Sequence, residues 1–267
     1  MQHKLPDRIF GISTSEAYKK YLEESKKKET ARAKPEQSTQ PLEVKANINL
    51  SDYIKVPNTN VLISREIIHK GLNWENTHYA LADNGLFIPS PGLFMPYFLN
   101  VRAAAHGKVI LYDGNNNPIP RNEAEELWNY LSSTNRTRGD CWTWLDAMFK
   151  QGSGYNSLDI ETDHRVAVKN GKKSLQGKVN PLEICIDEDC FVDLDFNKQG
   201  FPIRKSSNQK YVQEENIQYW YPKNGRVARF MADSGGAFLS CLVGPSLSYS
   251  SLGVFACAEG TPAKKIK

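Results

Sequence analysis

The chain has 267 residues, 40% hydrophobic and 10% aromatic, which is enough for one large packed domain with appendages. Its 34 basic and 30 acidic residues leave a net charge of +4, partly in a Lys-rich N-terminal stretch and in Lys264, Lys265 and Lys267, too diffuse for a nucleic-acid-binding surface. No apolar run approaches the ~18–20 residues that span a bilayer, and MQHKLPDRIF lacks the apolar stretch of a signal peptide. Five cysteines is an odd count without tight metal spacing, so at least one thiol is expected free in a reduced compartment. The expected location is cytoplasmic by default, with surface display open.

Residues 1–44 read as an arm. Ser13 and Glu16 resemble a capping box, Ala17, Tyr18, Tyr21 and Leu22 form a narrow apolar stripe, and PEQSTQP reads as a linker. The body is expected over 45–260, followed by a basic tail at 261–267. NINLSDYIKVP and NVLISREIIHKG read as short strands, the second with a turn of helix. His69 and His78, nine residues apart, have no metal partners visible in the sequence and read as structural or surface histidines. Phe94–Ala105 reads as a helix starting around Pro96, and KVILYDGNNNPIP as a strand entering a tight turn, with Gly114 and three Asn available for positive φ.

Two further helices are expected. Arg121–Ser133 has Asn122 as N-cap, acidic residues in its first turn, and Ala124, Leu127, Trp128 and Leu131 as its buried stripe. Asp140–Lys150 places Cys141, Trp144, Leu145 and Met148 on one face. From Gly152 to Tyr221 the chain is polar and turn-rich, which predicts hairpins and long loops. Asp187, Glu188, Asp189, Asp193 and Asp195 cluster there. Their spacing is not that of an EF-hand loop and the loop glycine is missing, so no metal role is assigned.

The stretch from Tyr219 to Gly260 carries the functional signal. Ala228, Phe230 and Ala232 alternate with Arg229, Met231 and Asp233, and Ala237, Leu239 and Cys241 with Gly236, Phe238, Ser240 and Leu242. In strands such alternation separates a core face from an outward face. The outward face mixes Arg, Asp, Met, Phe, Leu, Ser and Gly, a composition suited to binding rather than to solubility alone. RVARFMADSGGAFLSC, Pro245 and SYSSLGVFACAEG resemble the C-terminal variable region of diversity-generating retroelement proteins, the archaeal type most. In that family a near-constant skeleton carries diversified positions and the segment closes on a strand here matched by Leu252, Gly253 and Val254. Val227, Ala228, Phe230, Ser234, Gly235, Ala237, Leu239, Cys241 and Pro245 match the skeleton. The likeness is specific over about the last forty residues, looser over 85–220, and absent over 1–45.

The resemblance implies an α+β, C-type-lectin-like fold, related to formylglycine-generating enzymes, with two helices, a twisted antiparallel sheet and long loop inserts. It implies a variable region at about 224–254 that binds a ligand, a protein or a cell surface, through Arg229, Met231, Asp233, Gly236, Phe238, Ser240, Leu242, Val243, Gly244, Ser246, Leu247 and Tyr249. Phe238, Leu242 and Tyr249 would be apolar anchors, and Arg229 and Asp233 charged contacts. Diversification in the family acts on template adenines, largely at AAY-type codons, from which Met231 cannot arise. No catalysis, cofactor or metal is expected. The sugar-binding lectin motifs Glu-Pro-Asn and Trp-Asn-Asp are missing, and so is the close C-terminal cysteine pair of the copper oxidases, since Cys185 and Cys190 lie upstream.

Two other chemistries fit fragments. Asp233-Ser234-Gly235-Gly236 and Ala104-Ala105-His106 resemble the nucleophile and histidine motifs of serine proteases, which makes a hydrolase using Ser234 with His106 the alternative; Ala232 and Ala237 replace that pattern's glycine and proline. Cys141 at a helix start would have a lowered thiol pKa, but it shares an apolar face with Trp144 and Leu145 and reads as buried. Cys241 and Cys257 are a candidate pair across neighbouring strands.

Overall fold

The computed structural model describes residues 8–9, 12–13, 42–132 and 138–262. The chain divides into two compact units, Met1–Ser38 and Thr39–Lys267. In the first, β1 (Arg8–Ile9) and β2 (Ile12–Ser13) pair antiparallel. Ser13 thus ends a strand, and the helix expected after it lies outside the described residues. The second unit begins earlier than the sequence suggests, because β3 (Leu42–Val44) pairs with Gly260–Pro262.

The described part of this unit is mixed α/β, with three helices and an eleven-stranded, mostly antiparallel sheet. After β3 come β4 (Tyr53–Lys55) and β5 (Val61–Ile68), then the helices α1 (Trp74–Ala82), α2 (Pro91–Ala105) and α3 (Arg121–Leu131). The remaining strands are β6 (Cys141–Gln151), β7 (Leu158–Lys169), β8 (Lys172–Pro181), β9 (Cys190–Asp193), β10 (Asn216–Trp220), β11 (Val227–Asp233), β12 (Gly236–Val243) and β13 (Leu252–Pro262). Their spatial order is β4-β5-β13-β6-β11-β12-β10-β9, with β3 beside β13 and the β7-β8 hairpin beside β6. The first long strand and the last pair antiparallel, while β13–β6 and β10–β12 run parallel. No helix among the described residues is long and apolar enough to cross a membrane.

The segment Asp140–Lys150, expected as a helix, is the central strand β6. Cys141, Thr143, Trp144, Leu145, Asp146, Ala147 and Phe149 are all buried, because both faces of β6 are covered. A strand buried on two faces loses its period of two, and the apolar residues then mimic helical spacing. The helix around Phe94 starts at Pro91, whose fixed φ suits the first helical position. Pro96 lies inside it and leaves the Gly92 carbonyl without a helical N–H donor. α3 starts at Arg121 with Pro120, not Asn122, at the N-cap. α1 was not expected. Asn73 caps it by accepting from the Asn76 N–H (2.8 Å), and Trp74, Thr77, His78 and Leu81 form its buried stripe.

The sheet has a core on each side. Along β13, Phe255 and Cys257 enter one cluster with α2 and α3, while Val254, Ala256 and Ala258 enter the other with α1. In the first, Phe230 lies 4.9 Å from Phe94 and 5.3 Å from Phe98. In the second, Trp74 donates to the Leu145 carbonyl and Trp144 to the Leu72 carbonyl. The expected hairpins between 152 and 221 include β7-β8, whose Asn170-Gly171 turn has φ of 52° and 73°, the sign pattern of a type I′ hairpin.

Candidate ligand-binding face

The inward skeleton of the variable-like segment lies where alternation places it. Ala228, Phe230, Ala232, Ala237, Leu239 and Cys241 are all at most 1% exposed and pack against the helix side of the sheet. Arg229, Met231 and Asp233 therefore point to the other side, and so do their partners across β12, Ser240, Phe238 and Gly236. Register across β6 and β10 adds Trp142 opposite Met231, Trp144 opposite Arg229, Gln218 beside Phe238 and Trp220 beside Ser240. One end of this face is closed by the α1 cluster, which takes Trp144, Val227 and Val243. The remainder is the candidate site.

Its centre is Arg229. The guanidinium carbon lies 5.7 Å from the Trp142 ring centroid and 5.5 Å from that of Tyr249, and the two rings meet edge to face at 6.1 Å. The Arg229 Nε and Nη1 and the Trp142 Nε1 are buried and have no hydrogen-bond partner. Burial lowers the Arg229 pKa, and Tyr249 opposes that shift. Guanidinium remains charged in proteins, so the face holds a half-buried cation bracketed by aromatic rings with two donors unused. On the β10 side, Trp220 stacks on Phe238 at 5.4 Å and 14°. Leu247 and Tyr249, in the loop before β13, are 45% and 41% exposed.

Several expected outward positions are corrected. Met231, Phe238 and Ser240 point outward but are buried at 6%, 9% and 4% exposure, because the large rings on this face pack over their neighbours. Val243 is buried in the α1 cluster: Cys241 and Leu242 together lie opposite the single residue Ala228, and this bulge reverses which face follows. Gly236 has φ of 120°, and a Cβ there would lie 2.5 Å from the Tyr211 ring, so both the turn and its neighbour require glycine at this position. Asp233 accepts the Gly235 N–H at 2.8 Å, which makes it a turn former as well. Gly244 is buried, but a Cβ would come no closer than 3.4 Å to Arg226. Leu242 is half-buried and Ser246 exposed. Trp142 and Trp220 were not anticipated. Their signal was aromatic residues in short segments flanking the alternating stretch, obscured at Trp142 by the helical spacing of β6.

Among the described residues, the groups that the competing chemistries would use have other partners. The His106 Nε2 meets Glu214 at 2.6 Å, and Glu214 also accepts from Arg102 and Trp128; no described hydrogen bond joins His106 to Ser234. Cys141 begins a strand rather than a helix, and burial pushes its thiol pKa up. Cys241 and Cys257 lie on strands that are not neighbours, and all five cysteines are free and buried. The acidic segment is dispersed among partners: Arg204 meets Asp193 and Asp195, Lys205 meets Glu188, and Asp189 accepts the Tyr221 N–H. No protein-family model, curated protein or solved structure matches the chain.

Proposed function

We propose that this chain is a ligand-binding protein whose outer β6-β11-β12 face, with the loop carrying Leu247 and Tyr249, receives a protein partner that presents a carboxylate to Arg229. The observation that carries this reading is the half-buried Arg229 guanidinium between Trp142 and Tyr249, beside a loop in which Leu247 and Tyr249 are 45% and 41% exposed. Arg, Trp and Tyr are the residue types that dominate binding hot spots, and a bidentate carboxylate is the natural complement of a guanidinium. The same face would be diversified in a retroelement variable protein. A C-type-lectin-like scaffold is supported by the pairing of the first long strand with the last, and by helices that precede the β6-β11-β12 unit.

Random peptides displayed on phage and selected on the immobilised full chain test the reading. Enriched peptides should carry Asp or Glu beside aromatic residues. Their affinity should fall at least about 30-fold in Arg229→Ala, the equivalent of a ~2 kcal/mol hot spot, and stay constant in Lys178→Ala on the β8 hairpin. Peptides that bind Arg229→Ala and the parent chain equally would overturn the proposal.

A further inference from the structure

We propose that His78, Asp146 and His164 form a site for one divalent transition-metal ion, with zinc the best fit to two imidazoles and one carboxylate. Their ligand atoms lie within 4.8 Å of one another, and the three side chains are 2–3% exposed. The His164 Nδ1 is 2.5 Å and the His78 Nε2 3.6 Å from the same Asp146 Oδ1. The second distance is too long for a hydrogen bond, and the buried His78 Nε2 has no partner. Tetrahedral zinc, with ligand bonds of about 2 Å, separates its ligand atoms by about 3.3 Å, so the two pairs that include Asp146 need to move by less than about 1 Å and the two imidazole nitrogens, within 4.8 Å of each other, by at most about 1.5 Å.

The backbone is shaped to bring these groups together. Leu145, Asp146 and Ala147 of β6 all lie opposite the single residue Ala228. Asp163 and His164 of β7 lie opposite Gly177 alone, with Asp163 at φ of 55°. Bulges re-aim side chains, and positive φ outside glycine is strain that persists where the surroundings enforce it. A Cβ on Gly177 would lie 2.7 Å from the His164 Nε2, so the glycine gives that ring its place. Trp74 packs edge-on against both imidazoles at 4.4 and 4.9 Å and shields them.

The arrangement around the three ligands also suits a metal. A metal-bound histidine commonly donates its other ring N–H to a carboxylate, and here the His164 Nε2 faces the Glu161 Oε2 at 3.4 Å, itself held by Lys150. His164 and Trp74 also line a groove of about 350 Å³ with Tyr79, Lys150 and Lys173, which leaves the fourth coordination position to water or to a small anionic group entering from the groove.

The test is zinc content and affinity of the chelator-stripped full chain after addition of zinc sulfate. One zinc per chain should be retained. Glu161→Gln should weaken binding about 10-fold, within the ~10–100-fold typical of losing an outer partner, and His78→Gln and His164→Gln, which remove ligands, by at least ~100-fold each. His69→Gln and His106→Gln should bind as the parent does. Should the buried variants fail to fold, the parent chain decides: zinc should shift the ring nitrogen resonances of two histidines, and cobalt(II) should give the visible bands of a tetrahedral nitrogen–oxygen site. A parent chain that retains neither zinc nor cobalt, or His78→Gln and His164→Gln variants that retain zinc as tightly as the parent, would overturn the proposal.

Discussion

Replacing Arg229 by Met separates a binding residue from a structural one. The Arg229 Nε and Nη1 are buried without partners, and each unsatisfied donor costs at least about 1 kcal/mol, or ~2 kcal/mol for the pair. Against this stand the attractions of Trp142 and Tyr249 for the cation, about 0.5–1 kcal/mol for each ring. Methionine keeps an unbranched apolar stem and packs well on aromatic rings. Arg229→Met should therefore leave stability unchanged or raise it by up to ~1 kcal/mol, while acidic-peptide affinity falls at least ~30-fold. Urea unfolding followed by circular dichroism reads the first quantity from the shift in midpoint, and peptide titration reads the second. A loss of more than ~2 kcal/mol with unchanged peptide affinity would refute the reasoning and make Arg229 a structural residue.

Other positions give sharper contrasts. Phe230→Ala, in a fully buried ring cluster with Phe94 and Phe98, should cost about 3–5 kcal/mol, whereas Leu247→Ser on the exposed loop should stay within ~0.5 kcal/mol; thermal and urea melts check both. Gly236→Ala should destabilise by at least ~1 kcal/mol, since both its φ and the Tyr211 ring oppose a side chain, while Gly244→Ala should be close to neutral in the same melts. Burial disfavours the Glu214 carboxylate, but hydrogen bonds from His106, Trp128 and Arg102 outweigh it and lower its pKa below 4.5. A depressed carboxyl pKa contributes stability that is present above the unfolded value and lost as pH falls through the folded one. Stability should thus decline below about pH 4.5 less steeply in Glu214→Gln than in the parent, as urea midpoints across pH 3–5 would show.

Alternation in 228–241 was legible because β11 and β12 each bury one face under the helices, so Ala228, Phe230, Leu239 and Cys241 could be assigned from their spacing. Val243, expected outward, does lie on the outward side, because a bulge set by pairing across strands shifts the alternation there, but the α1 cluster covers it, and neither feature leaves a period in the sequence. β6 read as a helix because burial on both sides removes alternation. α1 begins with a good N-cap, but its single buried stripe of Trp74, Thr77, His78 and Leu81 includes polar residues, which hides it from an apolar count. The Trp142-Arg229-Tyr249 arrangement spans more than one hundred residues, and the His78-Asp146-His164 cluster joins a helix to two bulges. Both depend on register, which local sequence does not encode.

The proposal that the outer face varies while the skeleton is held is tested most directly by sequencing the DNA around the gene. The account predicts a second near-copy of the codons for 224–254 whose differences fall at adenines in the template, at outward positions such as Arg229, Phe238, Ser240, Leu242, Leu247 and Tyr249. Codons for Ala228, Phe230, Ala237, Leu239 and Cys241 should match. A locus without such a copy, or one whose differences fall on those buried positions, would contradict it.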